Sequence, residues 1–135
     1  MSWQARFSLL TASLWWGSLT AIGFIAVPVL FSNLPATIAG RLAAHLFTAQ
    51  TWTSVACGMI VLIASRSEKA SKDWDDNVVG FAITALLLAL IGEFAISPRI
   101  VATQGAAVWH VAGQAGYAVQ WFCVLVVLRK VSSRP

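Results

Sequence analysis

The stretch VVGFAITALLLALIGEFAI, residues 78–96, is uncharged except for one carboxylate, Glu93. Nineteen residues at ~1.5 Å rise make a helix of roughly 28 Å, close to the ~30 Å hydrocarbon thickness of a bilayer. Pro98 follows. Proline lacks a backbone donor and disfavours helix in the residue before it, so the helix is predicted to stop at Ile96 or Ser97. Glu93 is then expected one turn inside a helix end, ~6 Å below the boundary.

Three further apolar segments, about 7–31, 36–64 and 106–128, are equally long. The sequence therefore predicts an all-α fold, one transmembrane domain over 1–135, built as a four-helix bundle. The composition agrees: 59% of residues are hydrophobic, 10% are charged, the mean hydropathy is +0.77, and there are seven Trp and seven Phe. Soluble domains spend about a quarter of their residues on charge. Four spans use nearly the whole sequence, which leaves no soluble catalytic domain.

The N-terminal segment is not a secretory signal by its length. Its uncharged run from Arg6 to Phe31 far exceeds a signal core of ~7–15 residues, and no A-x-A-like cleavage site stands in its second half. The pI of 9.7 does not imply a nucleic-acid partner, since the cations sit at helix ends and form no basic face. Arg6, Arg66, Lys69, Lys72, Arg129, Lys130 and Arg134 flank one side of the four spans, against Arg41 and Arg99 on the other. The positive-inside rule makes the first side cytoplasmic, with both termini in; Glu68, Asp73, Asp75 and Asp76 do not overturn it, because acids count little. A multi-pass protein of a bacterial inner membrane is the expectation.

Asn33 and Pro35 punctuate a tight connection between the first two helices. Ser13, Gly17 and Ala21 form a small-residue stripe that lets another helix approach, read first as packing within the bundle and second as a homodimer contact. In the polar stretch SRSEKASKDWDDN, Asp75, Asp76 or Asn77 can cap the third helix. Trp74 and Trp3 have the placement of interfacial anchors. Cys57 and Cys123 belong to no C-x-x-C pair and read as small buried thiols. No internal repeat, phosphate-cradling glycine loop or Ser-His-Asp arrangement is evident.

Chemistry therefore rests on a few polar groups. Near a helix C-terminus an anion faces the negative end of the dipole, so Glu93 needs a partner or a proton, and Arg99 and Arg41 are the candidate cations. His45 lies one turn from Arg41 on the same face; His110, Gln114, Tyr117 and Trp121 follow one stripe of the fourth helix. Glu93, His45 and His110 are expected at similar depth, and ionisable groups inside a membrane mark functional sites by default. The polar cluster is Glu93, Arg99, His110, Arg41, Tyr117 and Gln114. Three readings stand open: a fastening between helix ends by snorkelling and carbonyl bonds, a site for a metal ion or polar head group, and bis-histidine haem on His45 and His110. No nucleophile or electrophile is designated, so catalysis is not expected. Transport has little support, because Pro28 and Pro98 are placed at helix ends and leave no interrupted helix.

The run WWGSLTAIGFIAVPVLFSNLPATIAGRLAAHLF (15–47), with EFAISPRIVA (93–102), Trp109–His110, Tyr117 and Gln120, resembles the transmembrane protein 205-like family of small four-helix membrane proteins. The most specific parts are the pattern G-x5-G-x4-P-x-L-F from Gly17 to Phe31 and the segment from Glu93 to Pro98 and Arg99. The resemblance implies four helices in a bacterial inner membrane and brings no established reaction. It ranks Pro28, Phe31, Gly40, Glu93, Pro98, Arg99 and His110 above His45. The chain also resembles, loosely, the membrane domain of copper-resistance D-type proteins, but its methionines are Met1 and Met59 alone, which does not suit copper(I). The leading expectation is a non-enzymatic protein that binds another membrane component, with the lipid bilayer, other membrane proteins or its own copies as partners. The alternative is a haem- or metal-binding redox protein, with His45 and His110 as ligands.

Overall fold

The computed structural model describes residues 2–67, 76–104 and 106–134, and all regular structure among them is helical. Helix α1 runs Trp3–Thr20, passes through a π-helical turn at Ala21–Ala26 and continues as α2, Val27–Asn33. Helix α3 is Ala36–Ser67. Helix α4, Asp76–Ile91, passes through a second π turn at Gly92–Ile96 into α5, Ser97–Ala102; α6 is Ala107–Ser132. Four spans long and apolar enough to cross a membrane result: Trp3–Asn33, Ala36–Arg66, Asn77–Ala102 and Ala107–Ser132.

The spans form a square, each packed on its two neighbours in the sequence, the fourth closing on the first, with first and third, and second and fourth, on the diagonals. Short connections dictate this antiparallel order. Leu34 adopts extended backbone (φ −126°, ψ 153°), as a residue before proline should, and Pro35 then offers its carbonyl to Ile38 and Ala39 to start α3. At the N-terminus the Ser2 hydroxyl accepts from the Ala5 N–H, capping α1.

Two expected helix ends are corrected. Pro28 and Pro98 do not stop their helices; both lie inside the first turn of a helix that goes on, to Asn33 and to Ala102. The π turn explains how. In α register a proline ring collides with the carbonyl four residues back. Just before each proline the bond widens to five residues: the Val27 N–H reaches Ile22 O, and the Ser97 N–H reaches Gly92 O. The chain thus passes its proline without breaking.

Trp15, Leu19, Val61, Val78, Val124 and Val127 are fully buried, with Ala12, Ala82 and Ala85 between them. Cys57 and Cys123 are free and buried in the same core, as expected of packing thiols. Leu86 fills the space that a Cβ on Gly58 would take, which closes the second and third spans. Ser13, Gly17 and Ala21 are exposed, and nothing lies within 4 Å of a Cβ placed at Gly17. The stripe therefore does not pack within the bundle. Trp3 is exposed and stacks on Phe7. Trp74, Asp75 and the side chain of Asp76 lie outside the described residues.

A carboxylate held between the second and third spans

Because the third span continues past Pro98, Glu93 stands nine residues before Ala102. That is ~14 Å from the helix end and only ~5 Å from the midpoint of the span along its axis. The expected place one turn from the helix end is corrected. Glu93 belongs to the second π turn and is half-buried.

Its partner is a hydroxyl. Thr48 Oγ1 on the second span donates to Glu93 Oε1 at 2.8 Å. Among the described residues no basic side chain pairs with the carboxylate. Arg99 points elsewhere, its guanidinium carbon 4.7 Å from the centroid of the Trp109 ring, and Arg41 is exposed. The backbone around Glu93 is also polar. The Ser97 N–H serves Gly92 O, and Pro98 has no N–H to offer the carbonyls behind it.

The first span repeats the arrangement with a different filling. A shift of 70 residues carries the Val27-to-Ile22 bond onto the Ser97-to-Gly92 bond, Pro28 onto Pro98, Gly23 onto Glu93, and Phe47 onto Tyr117. At the first π turn the Tyr117 hydroxyl donates to Leu19 O at 2.6 Å. A Cβ on Gly23 would collide with the Tyr117 ring. One turn on, Trp121 Nε1 donates to Thr20 Oγ1 at 2.9 Å, and Phe47 meets Tyr117 edge-on at 5.4 Å. Nothing lies within 4 Å of a Cβ placed at Gly92 or at Gly116.

The remaining candidates separate. His45 and His110 are both exposed and project from diagonally placed spans, ~9 Å and ~14 Å from their midpoints along the axis. The second and fourth spans meet only across the bundle centre, so the two imidazoles are not brought together. Among the described residues no three His, Cys, Asp or Glu side chains form a metal-type group. Gln114 is exposed. Tyr117 is engaged with the first span, and the cluster named from sequence is not one contiguous site.

Sequence reasoning passed over Thr48 and a polar row at the bundle centre. Gln50 Nε2 donates to Ser18 Oγ at 3.1 Å and to Ser54 Oγ at 3.3 Å, and Gln120 Nε2 donates to Ser54 Oγ at 3.1 Å. Gln50, Ser54 and Gln120 are buried, so these bonds replace water and fix the register of three spans. An available signal was the spacing of Gln50 and Ser54 at four residues on one helical face.

Over residues 10–108 the chain matches the model of a family described as a domain of unknown function, DUF4149. The chain belongs to that family. The DUF4149 match includes Gly23, Thr48, Gly92 and Glu93, and it ends before His110, Gln114 and Tyr117. No curated protein and no solved structure matches the chain.

Proposed function

We propose that this DUF4149 protein is a non-enzymatic binding protein of a bacterial inner membrane. In this reading it holds the polar group of another membrane component at Glu93, between the second and third spans. The observation that carries the reading is a half-buried carboxylate near mid-span, bonded, among the described residues, to one hydroxyl and to no cation. A carboxylate so placed is costly, and evolution has cheaper ways to fasten two apolar helices. The likeness to transmembrane protein 205-like proteins and the distribution of Lys and Arg support the membrane and the orientation, with both termini cytoplasmic.

The test is Glu93→Gln in protein purified in mild detergent, followed by thermal unfolding and by native mass spectrometry of what stays bound. The expected result is near-unchanged stability with loss of a small amphiphile that the unaltered protein retains. Lost stability with the same bound species would make Glu93 a fastening and overturn the proposal.

A further inference from the structure

We propose that a groove between the first and second spans, on the side of the membrane where the chain's ends lie, holds one acyl chain of a phospholipid whose phosphate rests on Arg6. The site is separate from Glu93, which lies between the second and third spans, beyond mid-span toward their other end. The proposal goes beyond the role given to Glu93 and does not rest on it.

The groove has a volume of about 440 Å³ and runs between α1 and α3, with Phe7, Leu10 and Leu14 along one wall. That volume lies within the ~300–1,000 Å³ usual for small-molecule sites. Thr11 and Cys57 are buried at its base and Ala56 lines the opposite wall, so small residues leave the space unfilled. Thr53 lines it too, but its hydroxyl is bonded back to Ala49 O, as that of Thr11 is to Phe7 O. Neither hydroxyl is left to donate to a ligand, and the groove suits a hydrocarbon chain. Leu10 and Leu14 are exposed, so it opens toward the bilayer.

Depth and charge select a lipid. Counted from Ser18, the midpoint of the first span, Leu14 lies ~6 Å out and Phe7 ~17 Å out, which spans most of a leaflet whose hydrocarbon is ~15 Å thick. Arg6 is then ~18 Å out, at the level of the headgroups, one turn from Leu10 on the same helical face. It is exposed, and no acidic residue stands in the first turn of α1 to pair with it. Trp3, stacked on Phe7, anchors the same end at the interface. A phospholipid thus meets a guanidinium and then an apolar groove in the order in which it presents its phosphate and its chain.

The test is native mass spectrometry of the full chain released from mild detergent. The probes are phosphatidylglycerol and the diacylglycerol with the same chains, which lacks the phosphate. One retained phosphatidylglycerol per chain is expected, held about fivefold more weakly after Arg6→Ala, the worth of one cation at a membrane surface, and the diacylglycerol should be weaker by a similar factor. Ala56→Phe fills the groove from an exposed position and should abolish retention, while Ala56→Ser should keep it. Glu93→Gln should leave retention unaltered; loss there would move the lipid to Glu93 and overturn the proposal. A photoreactive group on the acyl chain should label residues 7–14 and 53–60. Equal retention of both lipids, retention indifferent to Arg6→Ala or to Ala56→Phe, labels elsewhere, or a lipid-free dimer with a second copy in the groove likewise overturns it.

Discussion

Glu93 takes a hydroxyl where its position called for a cation, and this difference sets what its neighbours should do on substitution. Thr48→Val removes the donor while keeping the shape, and it should lower stability by about 0.5–2 kcal/mol, the range of hydrogen bonds between membrane helices. Thr48→Ser should restore most of it; unfolding in mixed micelles measures both. Arg99→Ala should cost no more than an exposed cation–π contact, about 0.5–1 kcal/mol. A need for some partner at Glu93 was legible from the helix dipole and from the scarcity of charge. Which partner was not, because a single threonine in a long helix differs in nothing from Thr51 or Thr53, whose hydroxyls bond back to their own helix at Phe47 O and Ala49 O.

At the level of the helix, the glycines of the two π turns should behave oppositely although they share a sequence context. Gly23→Ala pushes a methyl into a ring whose hydroxyl is already tied down, and overpacking of this kind costs about 1–3 kcal/mol. Gly92→Ala meets open space and exchanges a poor helix former for the best one, so stability should hold or rise by up to about 1 kcal/mol. Equal losses at both positions would contradict the difference drawn between a filled and an open turn. Apolar length located all four spans, and Pro35 marked the first connection correctly, because there Leu34 is extended before it. Pro28 and Pro98 misled. A proline removes one donor in either case, and whether the helix ends or widens by one residue is not written in the proline itself.

For the molecule as a whole, four spans put both ends of the chain on one face, and the surplus of Lys and Arg on that face supports a cytoplasmic location. Alkaline phosphatase fused after Arg134 should be inactive and a fluorescent protein there should fluoresce, whereas phosphatase inserted after Thr103 should be active; the reverse pattern would contradict the orientation. The square order of spans makes pairings across the second and third helices the ones that matter for Glu93. A double-mutant cycle decides this, combining Glu93→Met, which removes the acceptor, with Thr48→Val, and separately with Arg99→Ala and Arg41→Ala, each read as unfolding free energy in micelles. A coupling of about 0.5–2 kcal/mol with Thr48 and none beyond error with either arginine is the expected result. Coupling to Arg99 or Arg41 with none to Thr48 would make Glu93 half of an ion pair and contradict its assignment as an uncompensated carboxylate available to a ligand.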